Sequence, residues 1–207
     1  MNRKILLVVA SCALASQVYA GGNTVSLVET VVPVPYVAES HVEEAHHPAS
    51  KYYVVVKGMT VLGADSTHGH DTLEGDQGYG VGIDVGYRIG NGFAVEYDFS
   101  YSTNTVIETD LEGTSHEGDA SYSTQALFLV YTHHLTDTVG LFVKAGYEYE
   151  TEVIDDLGID SDADGFAYAL GLEYAMNTHY TMLVEYESAD IEGPRGDAVF
   201  VGMMYNF

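Results

Sequence analysis

The chain has 207 residues, enough for one substantial domain, and a formal net charge of −24 from 31 acids against 7 lysines and arginines. So acidic a chain is repelled by phosphate backbones, which excludes nucleic acid as a partner. Its 17 tyrosines and 7 phenylalanines, with many β-branched residues, exclude a wholly disordered polymer.

The first twenty residues read as a leader. Arg3 and Lys4 precede the apolar run ILLVVASCALAS, and Val18-Tyr19-Ala20 places small residues at −3 and −1 of a signal-peptidase site. The run is too short to span a bilayer. Cleavage after Ala20 removes Cys12, the single cysteine. It leaves Lys51, Lys57, Arg88, Lys144 and Arg195 against the 31 acids, a mature net charge of −26. Val9-Ala10-Ser11-Cys12 also fits a lipoprotein box, so lipidation at Cys12 stays open as the alternative. Residues 21–50 carry Pro33, Pro35 and Pro48 and hold no lasting period, which predicts a periplasmic arm or linker. His41, His46 and His47 lie there beside Glu43 and Glu44, either as a solvated tether or as a weak transition-metal catcher.

From Lys51 to Phe207 the organising period is two. KYYVVVKGMTV (51–61) sets Tyr53, Val55, Lys57 and Met59 on one face. In YGVGIDVGYRI (79–89), Tyr79, Val81, Ile83, Val85 and Tyr87 oppose Gly80, Gly82, Asp84, Gly86 and Arg88. FAVEYDFSYS (93–102), LFVKAGYEYE (141–150), GFAYALGLEYA (165–175) and TMLVEYES (181–188) repeat the rule, with Asp98, Lys144 and Glu185 on their polar sides. AVFVGMMYNF closes the chain, with Val199, Val201, Met203, Tyr205 and Phe207 sharing a face. SYSTQALFLVYTHH (121–134) is apolar on both faces in its second half, so its orientation stays open.

Eight such strands have a soluble and a membrane solution, which differ in the face that looks outward. Small residues share the charged face (Gly80, Gly82, Gly86, Ala94, Gly146, Ala167, Ala169, Gly171), as a narrow lumen requires, and the other face is bulky and apolar. Tyr79, Tyr87, Tyr101, Tyr149, Tyr174 and Tyr205 fall near strand ends, where an aromatic girdle belongs. Connections alternate in length. Those at 90–92, 135–138 and 176–179 are short, and those at 64–78, 103–119, 151–164 and 189–196 are longer, polar and glycine-bearing. The prediction is an all-β, eight-stranded antiparallel up-and-down transmembrane barrel over 51–207. It would sit in the bacterial outer membrane as a monomer with both ends periplasmic.

With KYYVVVKG, the hairpin VGYRIGNGFAVEYDF and the ending FVGMMYNF in view, the chain resembles the small eight-stranded outer-membrane barrels typified by the OmpA transmembrane domain. The resemblance implies that Val201, Met203, Tyr205 and Phe207 form the signal read by the barrel-assembly machinery. No peptidoglycan-binding domain follows the barrel, so a wall-anchoring role is not implied.

An eight-stranded lumen is about wide enough for its own side chains. Lys57, Asp84, Arg88, Asp98, Lys144 and Glu185 are therefore expected to form a buried ionic belt that plugs it, with acids in excess. A small ion-conducting pore is the alternative. Catalysis by a lipid A-modifying barrel is a further one, but His68, His70, Asp71, His116, His133 and His134 accompany no nucleophile at a diagnostic spacing. The loops at 64–78, 103–119 and 151–164 are acidic and contain no lysine or arginine. They suit a hydrated surface, or contact with lipopolysaccharide or an extracellular ligand bridged by cations. DSDADG (160–165) opens like a calcium loop, yet its twelfth position is Gly171 where a bidentate acid is needed. Asp160, Asp162 and Asp164 are thus expected at the edge of an acidic loop, with loosely bound calcium at most and no other cofactor.

Overall fold

Alternation puts each strand's bulky side chains on one face and its small or charged ones on the other, so a sheet built this way buries its narrow face by closing on itself. The computed structural model describes residues 50–68 and 71–207. The leader, the arm with His41, His46 and His47, and His70 lie outside the described residues.

The strands are β1 (Tyr52–Val61), β2 (Asp65–His68), β3 (Asp71–Gly75), β4 (Gly78–Gly90), β5 (Phe93–Thr109) and β6 (Ser115–His134). They continue with β7 (Val139–Ile154), β8 (Ile159–Ala175), β9 (Tyr180–Ala189) and β10 (Ala198–Asn206). Eight form an antiparallel ring, β1-β4-β5-β6-β7-β8-β9-β10, which closes where β10 pairs with β1 through Gly202↔Lys57. The β2–β3 hairpin extends the sheet along the far half of β5, pairing Leu73 with Glu108.

Register fixes the tilt. Stepping from Phe93 through Tyr131, Val143, Leu170, Tyr186, Val199, Thr60 and Tyr79 returns to β5 at Thr103. The ring therefore closes with a stagger of ten residues, from 93 to 103. Closure with such a stagger tilts strands by about 35–45° from the barrel axis.

The outer wall is apolar: Val81 is 64% exposed, Leu127 58% and Leu170 53%, whereas Lys57, Asp84 and Glu185 are at most 1% exposed. This inverts the burial of a water-soluble barrel and matches a lipid-facing one. Tyr87, Tyr174 and Tyr205 ring the short-turn end and Tyr79, Tyr101 and Tyr149 the other, all exposed. Strand β6 resolves the open orientation: Tyr122, Thr124, Ala126, Phe128 and Val130 point inward, and Leu127, Leu129 and Tyr131 outward.

The turns at the short end follow local chemistry. Asn91 adopts φ 54 between Gly90 and Gly92, also at positive φ, which the left-handed region permits for Asn and Gly. Asn177 Oδ1 accepts the N–H groups of His179 and Tyr180.

The long connections correct the sequence reading. Residues 103–109 and 115–119 belong to β5 and β6, leaving a turn at 110–114; residues 151–154 and 159–164 belong to β7 and β8, joined by a 3-10 turn at Asp155–Leu157. The first connection contains the β2–β3 hairpin. Beyond the membrane the outer face meets water and turns polar, so the contrast between faces weakens while backbone pairing continues; the inner face stays covered, with Val106, Ala120, Ile154 and Ile159 buried. DSDADG accordingly lies within β8, which begins at Ile159 rather than Gly165.

Candidate functional site: the charged column in the lumen

Each lumenal charge occupies an inward position of a different strand, so the register of the ring decides which charges meet. Lys57 on β1 places Nζ 2.9 Å from Asp84 Oδ1, 2.5 Å from Asp98 Oδ2 and 3.4 Å from Glu185 Oε1. Lys144 on β7 meets Glu185 Oε2 at 2.7 Å, Asp84 Oδ2 at 3.6 Å and, closest of all, Glu96. Two ammoniums thus serve four carboxylates, with Glu185 and Asp84 shared between them. Asp84 lies at ion-pair distance from both lysines, yet neither of its oxygens has hydrogen-bond geometry.

Aromatic rings pack around the ammoniums. Lys57 Nζ lies 4.2 Å from the Phe200 ring centroid, and Lys144 Nζ lies 5.6 and 5.7 Å from those of Phe128 and Phe142. Small residues make room for this packing. A Cβ on Gly86 would come within 1.9 Å of the Tyr53 ring, whose hydroxyl donates to Glu96 Oε2 at 2.8 Å.

Five of the six expected belt residues come together: Lys57, Asp84, Asp98, Lys144 and Glu185. Arg88 stands apart toward the short-turn end, donating to Asn206 Oδ1 at 2.6 Å and stacking 4.5 Å over Tyr53. Its position, four residues after Asp84 on β4, puts it about 13 Å further along the strand, beyond direct pairing with the belt acids. Glu96, which the sequence reading missed, takes its place beside Lys144. Its signal was available, since it alternates in phase with Asp98.

Arg195 was the other omission. It belongs to the connection after β9, where no period marks it, yet it is 4% exposed. Its NH2 contacts Glu148 Oε1 at 2.5 Å and its Nε contacts Glu150 Oε2 at 2.6 Å. The segment that carries it is strapped into the barrel mouth. Pro194 is fully buried, its carbonyl accepts from Ala64 N and Asn104 Nδ2, and Gly63 N donates to the Arg195 carbonyl. Gly75 lacks a side chain where the Pro194 carbonyl passes, 1.9 Å from the position of a Cβ. Tyr122 Oη, donating to Asn104 Oδ1 at 3.0 Å, completes this layer.

Two layers therefore cross the lumen: the lysine belt at mid-height and the Arg195 layer at the long-connection end. Below the belt, a cavity of about 630 Å³ opens at the short-turn end, with Arg88 and Glu173 on its walls and Glu96 and Lys144 furthest in.

On the outside, Asp160, Asp162 and Asp164 are exposed at alternate positions of β8. Asp162 accepts from Thr151 Oγ1 at 2.8 Å, and Asp164 accepts from Tyr147 Oη. Neighbours on one strand face are about 7 Å apart, so the three form a row and do not enclose one ion. His116, His133, His134 and His179 are exposed at turns and strand ends. Val201, Met203, Tyr205 and Phe207 form an outward row along the final strand and its end, Tyr205 stacking edge-on against Phe207 with centroids 5.1 Å apart.

Residues 34–207 match the family model described as outer membrane protein beta-barrel domain. The chain belongs to that family. This barrel is similar in fold to the outer membrane protein OprG from Pseudomonas aeruginosa, with a TM-score of 0.64 at 17% identity, over 79% of this chain and 98% of that one. It is also similar to Neisserial surface protein A, with a TM-score of 0.53 at 17% identity, over 76% of this chain and 98% of the other. No curated protein sequence matches it. It is an outer-membrane β-barrel protein that crosses the bilayer with strands.

Proposed function

We propose that this barrel is a non-enzymatic outer-membrane protein with a closed lumen, serving a structural and surface-contact role, with both chain ends at the periplasmic side. The observation that carries the reading is the pair of charged layers across the lumen. Lys57 and Lys144 lock the middle, and Arg195 with Pro194 fills the mouth. A solute would have to displace buried ion pairs twice, and each charge left alone in that setting is costly. Planar-bilayer recording of the purified protein at neutral pH is expected to show no steady large conductance. A steady large conductance would overturn the closed lumen in favour of the pore.

The non-enzymatic part rests on the engagement of the lumenal acids. Asp84, Glu96, Asp98, Glu148, Glu150 and Glu185 pair with lysine or arginine, and His116, His133, His134 and His179 stand exposed at turns and strand ends. Lipid A from a strain lacking the protein is expected to be unchanged, and a changed acylation pattern would reinstate catalysis.

A surface-contact role is supported by the Asp160, Asp162 and Asp164 row. It lies on the outer wall immediately beyond Phe166 and Tyr168, where the lipid-facing band gives way to headgroups. Carboxylates there would repel lipopolysaccharide phosphates unless divalent cations bridge the two. Binding of lipopolysaccharide to a D160N/D162N/D164N variant, with and without calcium, separates this role from a merely hydrated surface. Calcium-dependent binding lost in the variant supports contact, and no difference in either condition leaves the hydrated surface.

A further inference from the structure

Between the lysine belt and the Arg195 layer lies Glu187, on β9 two residues beyond Glu185 and therefore on the same inner face. It is 4% exposed, and its Oε2 is buried with no hydrogen-bond partner. It forms none of the lumenal ion pairs that engage Glu185, Glu148 and Glu150. Yet it does not stand alone. One carboxylate oxygen from each of Asp98, Glu185 and Glu187 lies within 4.8 Å of the other two. Around this trio the charge does not balance: Lys57 and Lys144 answer Asp84, Glu96, Asp98 and Glu185, and Arg195 answers Glu148 and Glu150. Among the described residues no lysine or arginine forms an ion pair with Glu187, which feels Lys57 and Arg195 only at longer range.

We infer that Asp98, Glu185 and Glu187 form a lumenal binding site for a hard divalent cation, with calcium the best match. A buried carboxylate with no ion pair of its own and one oxygen lacking a hydrogen-bond donor is costly as a bare anion, so it takes up a cation or a proton. Three carboxylate oxygens converging from two strands are hard donors of the kind calcium takes, with water or further oxygens needed to complete its six to eight ligands. Calcium binds oxygens at about 2.3–2.6 Å, so donors on opposite sides of one ion are about 4.6–5.2 Å apart and the trio fits a single ion. Magnesium requires a near-ideal octahedron and gives up its waters reluctantly, conditions a side-chain-filled lumen does not meet. The ammonium of Lys57 pairs with two members of the trio but not with the third. It engages Asp98 Oδ2 and Glu185 Oε1 while also facing Asp84 on β4, leaving Glu187 unserved.

The site lies inside the closed lumen proposed above but is read by metal binding rather than conductance, so each can fail without the other. Equilibrium dialysis against radioactive calcium, on the full chain folded in detergent, is the direct test. The acidic exterior adds weak sites, which the D160N/D162N/D164N variant reduces. The expected result is one tightly held calcium per chain, retained in that triple variant and lost in Glu187→Gln. Heat-modifiable gel migration checks that Glu187→Gln folds. Should it not fold, the wild type still decides, because calcium should raise the temperature at which its folded band disappears, in the triple variant as well. Tight binding that survives in a folded Glu187→Gln variant would overturn the site. So would the absence of tight calcium in the wild type, which would assign Glu187 a proton instead.

Discussion

Arg195 shows how much can rest on one side chain that has no place in a repeating pattern. It is held by two carboxylates from one strand, and it fixes a segment whose backbone is otherwise tied by Gly63, Ala64 and Asn104. Arg195→Ala would leave Glu148 and Glu150 buried without a countercharge, a change that typically costs about 3–5 kcal/mol. Urea unfolding of the folded barrel in lipid should show that loss, and a smaller one for Arg195→Lys, which keeps the charge but not the fork. An exposed counterpart is Asp110 in the turn after β5. Its Oδ1 accepts Thr114 N–H at 2.9 Å and Glu112 N–H at 2.8 Å, and these donors hold its carboxyl below the usual aspartate range. A depressed folded value means that the turn is fully stabilised above the ordinary aspartate value of about 3.9 and loosens as pH falls through the lower, folded one. Protection of the Thr114 amide, taken relative to its intrinsic exchange rate at each pH, should hold at pH 5 and fall only on further acidification. Equal protection at both pH values would count against the bond.

At the scale of the strand, what could be read in the sequence depended on what each face meets. Between the tyrosine rims one face meets lipid and the other a crowded lumen, so period two is enforced, and β4, β7, β9 and β10 stood out. In β6 the signal blurred because Phe128 and Val130 point inward, Phe128 lying under the Lys144 ammonium, and an apolar inner residue removes the contrast. Beyond the rims the outer faces of β5 and β8 meet water rather than lipid and turn polar, so these stretches read as loops although Val106 and Ile159 stay buried on the inner side. The belt was legible in five of its members because charges in phase on neighbouring strands converge. Arg195 was not, because loop residues have no phase. The lipid-facing assignment makes a depth-dependent prediction. Ile83 lies midway between Tyr79 and Tyr87 on the outer face of β4. Ile83→Arg should destabilise the barrel by about 2–4 kcal/mol, and Ile89→Arg, near the short-turn rim, by about 0–1 kcal/mol. Equal costs at the two positions, in unfolding titrations from lipid vesicles, would contradict the placement of the membrane between the rims.

For the whole molecule, the question is whether the two charged layers act as one barrier or as two in series. The cavity at the short-turn end reaches only to Glu96 and Lys144, and the Arg195 layer lies several residues further along β7, at Glu148 and Glu150. The layers share no ion pair: the lysines bind Asp84, Glu96, Asp98 and Glu185, and the arginine binds Glu148 and Glu150. Loosening one layer therefore leaves the other's pairs in place, and ion flow along one path is limited by its narrowest point. Lys144→Ser paired with Glu96→Ser opens the inner layer while removing one charge of each sign, and Arg195→Ser paired with Glu148→Ser does the same for the outer. In planar bilayers each double variant alone should remain as silent as the wild type, or show brief openings only. Combining all four substitutions should give steady conductance, provided the heat-modifiable shift shows the barrel folded. Steady current in either double variant alone would mean that a single layer closes the lumen.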